Sequence, residues 1–284
     1  MTNLVQYKGY NSNRLHSPAI WADCPIVAIQ SGGVDGKYFF DDFLHFQDPT
    51  TAKAYGKYYC LDTGDSTLTL DPADSNGALR LLVTTDEEDC GIILTDSATT
   101  GGAFVLPDNS DNSFGQLWFE CRVKRSNITD SVGSFFIGLA EPAALAANFI
   151  ADAANDFADV DLFGFWNLES DDSVGSHVHA VTQKAGAGFD TIIDTAATLV
   201  ANTYVKLGFV YNPNAAVAKR IKFYVDGVEQ GTGVGENSGD ATVYLGDTTN
   251  FPGDEEMAPI FYTSCEGAAD LISYCDWWAC AQLK

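Results

Sequence analysis

The sequence contains few basic residues and no long apolar run. Its 284 residues include 15 Lys and Arg against 39 Asp and Glu, which gives a formal net charge of −24 at pH 7. Nucleic-acid backbones and anionic membranes attract basic surfaces, so this charge predicts that the protein binds neither nucleic acid nor membrane. No segment reaches the roughly 20 apolar residues of a membrane-spanning helix. Residues 1–10 lack the apolar centre of a signal peptide, so we expect synthesis in a cytoplasm.

Several motifs of metal and hydrolytic chemistry are also missing. The seven cysteines form no Cys-x-x-Cys pair, which argues against a zinc site. Their odd number and irregular spacing favour reduced thiols over a disulfide framework. Cys121 lies on the apolar side of an alternating segment and is expected to be a buried thiol. The Gly-x-Ser-x-Gly turn that presents the nucleophile of α/β hydrolases is absent.

The sequence does contain period-two alternation, the pattern of a half-buried strand. From Leu117 to Val123 the odd-numbered residues are apolar and the even-numbered ones charged, with Trp118 as the exception. Similar patterns predict strands at 79–84, 91–95, 117–125, 134–140, 162–168, 177–183, 189–194, 204–211, 221–226 and 271–282. Asp226-Gly227 follows one of them and is a strong hairpin signal, because Gly adopts positive φ at little cost. Together these patterns predict an all-β fold, a two-sheet antiparallel β-sandwich.

Two regions depart from the alternation. After Pro142, apolar residues recur every four positions from Leu145 to Phe157, which predicts one short helical insertion near residues 143–158. The first 35 residues show little periodicity, and we interpret residues 1–35 as an N-terminal arm, with a frayed terminus as the alternative. Residues 36–284 then form a single sandwich domain.

Three stretches carry a resemblance to a known fold family. Residues 219–230, KRIKFYVDGVEQ, resemble the strand-turn-strand of concanavalin A-like jelly rolls, the group of laminin-G, pentraxin and legume-lectin domains. Residues 117–125 and 133–141 resemble the paired strands that begin the core of that fold. The ending at residues 274–283 and the string Phe40-Asp41-Asp42-Phe43 resemble members encoded by tailed bacteriophages. The resemblance covers about residues 39–283 and implies a jelly-roll sandwich.

The resemblance also implies a role. Phage-encoded members are virion proteins, so it implies a structural capsid decoration, or cement, protein on the outer surface of the virion. The expected partners are the major capsid protein and further copies of the chain, as a dimer or trimer at lattice symmetry points. The alternative is a carbohydrate-binding lectin-like module on a virion or cell surface. Trp21 and Trp166 could then stack on sugar rings, whereas core packing is the other interpretation of both.

The fold also hosts glucanases, so catalytic carboxylates were sought. Glycoside hydrolysis needs two carboxyl groups flanking the scissile bond. Glucanases that share the resemblance carry Glu-x-Asp-x-x-Glu on one strand, and this string is absent. The nearest acidic string, Glu169 to Asp172, has a different spacing and is interpreted as a solvated turn. We therefore predict no catalytic residue and no enzymatic activity.

Metal and cofactor sites are weakly indicated. His177 and His179 would share one face of a strand, but two imidazoles need further ligands to hold a metal. A surface or subunit contact is the other interpretation, and there an acidic pH would charge them. The aspartates at 156, 159, 161, 171 and 172 allow a structural calcium as an alternative, although no calcium-binding loop motif is present. The prediction is that the protein holds no metal and no cofactor.

Overall fold

The chain folds into two antiparallel sheets packed face to face. The computed structural model describes residues 14–44, 54–55, 57–73, 77–84, 88–95, 101–107, 114–129, 132–145, 148–150, 157–167, 177–186, 188–215, 220–230, 251–252, 255–265 and 270–284. Two short helices precede the strands, α1 (Pro18–Trp21) and α2 (Ile26–Gln30). The strands are β1 (Gly36–Asp41), β2 (Ala54–Tyr55), β3 (Tyr58–Asp62), β4 (Thr67–Leu70), β5 (Leu79–Val83), β6 (Glu88–Ile93), β7 (Phe104–Val105), β8 (Leu117–Arg125), β9 (Ser134–Ala140), β10 (Leu162–Asn167), β11 (His177–Lys184), β12 (Gly188–Thr198), β13 (Val205–Tyr211), β14 (Ile221–Val225), β15 (Val228–Glu229), β16 (Glu256–Cys265) and β17 (Leu271–Leu283).

Each sheet is built around one long strand from the C-terminal part of the chain. Sheet A has the order β15-β14-β13-β8-β17-β5-β4, and β1 pairs with the far half of β17. Sheet B has the order β12-β11-β10-β9-β16-β6-β3-β2, and β7 pairs with the start of β16. We call the side of each sheet that points away from the other sheet its outer face. The predicted two-sheet antiparallel sandwich is confirmed.

The main core lies between the sheets and follows the alternation of the sequence. The inward side chains of β8, including Phe119 and Cys121, meet those of β9 and β10 in one buried cluster. Phe119 stacks on Phe209 of β13 with ring centroids 5.0 Å apart, and Phe209 meets Phe163 of β10 edge to face at 4.6 Å. Burial of such side chains stabilises the fold by about 1.5–3 kcal/mol each. The seven cysteines are thiols that form no disulfide with one another, and Cys121 is fully buried as expected.

The hairpin predicted at Asp226-Gly227 joins β14 to β15. Asp226 has φ 49° and Gly227 φ 77°, so both turn residues lie in the left-handed region. The Asp226 carboxylate accepts a hydrogen bond from the Lys206 backbone N–H at 2.9 Å, which ties the turn to β13. Two positive-φ residues match the twist of the flanking strands, which is why this dipeptide suits the position.

The insertion differs from the predicted helix beyond its first turn. Pro142–Ala144 forms a single 3-10 turn, whereas Ile150 and Phe157 form an antiparallel bridge. Asn148 adopts φ 63° and its N–H donates to Asp89, so the backbone leaves the helical conformation there. Of the apolar residues at four-residue spacing, Leu145, Phe149 and Phe157 still share one buried cluster on sheet B. Residues 146–147 and 151–156 lie outside the described residues.

Residues 14–30, which we call the N-terminal segment, pack on the outer face of sheet A. Ile20 and Trp21 of α1 join a buried cluster with Trp118 and Trp277. Trp118 points outward from β8, but the N-terminal segment buries it. An outward position of this kind can be apolar, which explains why Trp118 breaks the alternation. Gly208 of β13 allows the close approach, because a Cβ there would lie 2.6 Å from the Ile20 side chain. Residues 1–13 of the predicted arm lie outside the described residues.

No helix among the described residues has the length and apolar character that crossing a membrane requires.

Candidate functional site

Two aromatic side chains of the insertion fill the centre of the outer face of sheet B. Phe149 meets Tyr262 of β16 edge to face at 5.1 Å, and Phe157 lies 5.0 Å from Trp166 of β10, between ring centroids. Both also contact Phe136 of β9, at 5.5 and 5.6 Å. All five side chains are at most 5% exposed. This part of the face is therefore a second, smaller core and not an open groove.

The histidine pair lies beside this cluster. His177 and His179 are both on β11, with ring centroids 6.4 Å apart, and the His179 ring meets Trp166 edge to face at 6.3 Å. His179 is buried. Across the part of the chain that the structure describes, no three His, Cys, Asp or Glu side chains come together in a way that could hold a metal ion. His179 packs against Trp166, and His177 lies beside it, partly exposed, at the start of β11.

Carboxylates lie at the rim of sheet B, beside the insertion. Burial raises the pKa of Glu141, and the neighbouring Asp161 adds to the rise. Burial likewise raises the pKa of Asp161, whose Oδ1 accepts a hydrogen bond from the Ala185 N–H at 3.0 Å. Asp159 accepts a hydrogen bond from the Gly186 N–H. Both aspartates therefore hold the turn after β11.

The aspartates at 156, 171 and 172, and with them the acidic string 169–172, lie outside the described residues.

A buried glutamate anchors the N-terminal segment to sheet A. Glu120 of β8 is fully buried and accepts hydrogen bonds from the Ser17 N–H at 3.0 Å and from Trp21 Nε1 at 2.8 Å. Burial raises the pKa of Glu120, although the hydrogen bonds from Ser17 oppose the rise. A second anchor joins Trp118 Nε1 to Asp23 at 3.0 Å. These contacts fix α1 over the sheet.

A buried ion-pair group lies at the start of the N-terminal segment. Asp276 of β17 is fully buried and accepts from Arg14 Nε at 2.9 Å and from Arg122 Nη1. Arg14 Nη2 also lies 2.9 Å from the Asp276 carboxylate. The Asp276 carboxylate therefore joins the N-terminal segment, β8 and β17 at one point.

Next to the N-terminal segment, a row of cationic and aromatic side chains on sheet A is partly exposed. We call Arg80, Tyr274, Lys124 and Tyr204 the tyrosine row. Tyr274 is the registered partner of Arg80 on β5 and of Lys124 on β8, and Tyr204 comes directly before β13. Lys124 Nζ lies 4.2 Å from the ring centroid of Tyr274 and 4.5 Å from that of Tyr204. The Lys124 ammonium group therefore lies against both tyrosine rings on one sheet face.

The two tryptophans considered for sugar stacking are packed instead. Trp21 is 4% exposed and Trp166 is 1% exposed, so neither presents a ring face to solvent. The tyrosine row was not found from sequence, because its members come from strands far apart along the chain. The alternation did place Lys124 outward, and this was the available signal.

Sequence comparison places the chain in no family. No family model matches it, and no curated protein matches it.

Solved structures do match the fold. The potassium-bound carbohydrate recognition domain of Emp46p covers 84% of this chain and 94% of its own, with TM-score 0.53 and 11% identity. Peanut lectin covers 87% and 97%, with TM-score 0.51 and 14% identity. An endo-1,3-β-glucanase from Streptomyces sioyaensis covers 88% and 97%, also with TM-score 0.51 and 14% identity. The fold is the concanavalin A-like jelly roll.

This jelly roll is shared by lectins and glucanases, so the fold is compatible with carbohydrate binding and with hydrolysis. At these identities the likeness concerns the fold alone. The comparisons do not bear on the resemblance to phage virion proteins.

Proposed function

We propose that this chain is a non-catalytic carbohydrate-binding protein. The observation that carries the proposal is the closed outer face of sheet B, where Phe149 and Phe157 occupy the centre of the sheet. Hydrolysis of a glycosidic bond needs two carboxyl groups on either side of a bound sugar. Among the described residues, buried aromatic side chains occupy the centre of this face, where such a sugar would have to lie. Binding without hydrolysis is the use of the jelly roll that this arrangement favours.

The carboxyl groups at the rim of sheet B allow the proposal to be tested. Glu141 and Asp161 have raised pKa values, a property that general acids of hydrolases share. The protein would be incubated with a panel of neutral polysaccharides, and reducing ends released would be measured beside retention of the protein in gels that contain each polysaccharide. We expect retention without release. Release that is lost in Glu141→Gln would make the protein a hydrolase, and absence of retention on every polysaccharide would overturn carbohydrate binding.

A second candidate is the capsid decoration role that the phage resemblance implies. The observation in its favour is that the chain's own segments cover part of each outer face, which suits a rigid particle component with no catalytic task. Its partner would be the major capsid protein on the outer surface of a virion, and repeated weak contacts would supply the affinity. Cosedimentation with phage heads that lack the protein tests this role. Saturable binding at a fixed ratio to the capsid subunit would support it, and no binding would remove it.

A further inference from the structure

We propose that the outer face of sheet A is a docking site for a peptide, and that the N-terminal segment of a second copy can take the place of the chain's own. This inference goes beyond the proposed function and does not depend on carbohydrate binding. It starts from the way the N-terminal segment is held, through polar contacts that are spread over residues 14–23.

Two buried carboxylates select for a segment that brings hydrogen-bond donors. Glu120 accepts from the Ser17 N–H through both of its oxygens, at 3.0 and 3.2 Å, and from Trp21 Nε1 at 2.8 Å. Asp276 accepts from Arg14 Nε at 2.9 Å. Both carboxylates are fully buried. A carboxylate that is covered without donors loses its hydration and gains nothing in return, so any segment that covers this face must bring donors at these positions.

The sheet in turn donates hydrogen bonds near both ends of the segment. Lys206 Nζ of β13 donates to the Leu15 carbonyl at 3.1 Å. Trp118 Nε1 and Gln116 Nε2 donate to the two oxygens of the Asp23 carboxylate, each at 3.0 Å. The face therefore recognises one particular segment, through its backbone and its side chains together.

Two glycines of sheet A make space for the same segment. A Cβ at Gly208 would lie 2.6 Å from the Ile20 side chain, and a Cβ at Gly227 would lie 2.9 Å from Ser17 Oγ. Ile20 and Ser17 are both buried in these positions. The fit between segment and sheet is therefore steric as well as polar.

The segment has little structure of its own, and its connection to β1 is open. Helix α1 has four residues and α2 has five, and helices of this length are not stable alone, so their conformation depends on the sheet. Residues 31–35 are exposed, and a Cβ at Gly32 would meet no atom of the described residues within 4 Å. Such a connection allows the segment to leave one copy and dock on another with the same contacts, as in domain swapping.

The chain's own segment competes with that of a second copy. A short flexible connection gives the attached segment an effective concentration in the millimolar range. A second copy therefore competes at about 1 mM, or where copies are held side by side. In dilute solution the segment docks on its own sheet.

The test frees the segment by cutting its connection in the complete chain. A thrombin site is inserted between Gly32 and Gly33, which are exposed, and is cleaved in the folded protein. A fluorescein-labelled peptide of residues 14–32 is then added, and its uptake in exchange for the cleaved segment is followed by anisotropy. Substitutions are made in the peptide alone, so the sheet that receives it is the same in every measurement.

We expect the labelled peptide to replace the cleaved segment. The Trp21→Phe peptide should bind at least about tenfold more weakly, because it lacks the donor to the buried Glu120 carboxylate. The Arg14→Gln peptide should bind up to about fivefold more weakly, since the Arg14 side chain is partly exposed. The Ala19→Ser peptide, changed at an exposed position, is the matched control and should bind as the unchanged peptide does.

Three results would overturn the docking site. They are unfolding of the protein on cleavage, no uptake of the peptide, and equal affinity of the Trp21→Phe and Ala19→Ser peptides. Exchange between copies is tested with two complete chains that carry different affinity tags, mixed at about 1 mM. We expect both tags on one affinity column after mixing at this concentration and separate chains after mixing in dilute solution. Recovery of one tag alone at the high concentration would overturn exchange between copies.

Discussion

Replacing Asp276 should reveal how firmly the N-terminal segment is held. Asp276 is fully buried, and Arg122, its neighbour on β8, is 8% exposed. Asp276→Asn keeps the shape but removes the negative charge, which leaves the Arg122 guanidinium buried without a counter-charge. Breaking a buried ion pair in this way costs about 3–5 kcal/mol. The Arg14 side chain is 24% exposed, so its share of the pairing should be smaller, at most about 1 kcal/mol.

Urea unfolding followed by tryptophan fluorescence measures this difference. We expect Asp276→Asn to lower the free energy of unfolding by about 3 kcal/mol or more, and Arg14→Gln by about 1 kcal/mol. Glu229→Gln is the control, because its pair with Lys222, at 3.2 Å, is exposed on both sides and should change stability by less than about 0.5 kcal/mol. The reasoning is refuted if Asp276→Asn costs no more than this control. Equal losses for Asp276→Asn and Arg14→Gln would contradict the assignment of the larger share to Arg122.

Two further predictions concern the N-terminal segment on sheet A and the insertion on sheet B. His16 stacks on Trp277 at 4.7 Å, and burial with the nearby Lys206 lowers its pKa from 6.5 to about 4. The stability that neutral His16 contributes is therefore fully present above pH 6.5 and is lost as the pH falls through 4. In urea titrations at a series of pH values, the His16→Phe variant should not show this loss of stability. Parallel curves for the variant and the wild type would contradict this. Phe157→Ala should cost about 3–5 kcal/mol by leaving a cavity over Trp166, and Phe157→Leu clearly less. Alanine and leucine variants that are both as stable as the wild type would show that the insertion does not close sheet B.

The local pattern predicted strands well where one face is buried in the main core. The bounds of β8 and β9 match the predicted residues 117–125 and 134–140. Central strand β16 was not predicted, since it carries Pro259 and is buried on both faces, so it shows no alternation. The strand predicted at 91–95 is β6, which begins three residues earlier, at Glu88, and ends at Ile93.

The candidate site was less predictable because it depends on pairing between distant strands. Tyr274 and Lys124 are neighbours only through the register of β17 with β8, and no single segment encodes that register. The four-residue spacing correctly indicated a shared apolar side for Leu145, Phe149 and Phe157, yet the described part of the insertion is a 3-10 turn and a β-bridge rather than a helix. Trp21 and Trp166 could not be assigned to core or surface until the segments that cover them were placed.

Hydrogen exchange with and without a retained neutral glycan tests the central claim most directly. That claim is that the protein binds carbohydrate without using the outer face of sheet B, which the insertion closes. The account predicts added protection in peptides outside the insertion, and unchanged protection around Phe149 and Phe157. Protection that rises over the insertion instead, or nowhere, would contradict it.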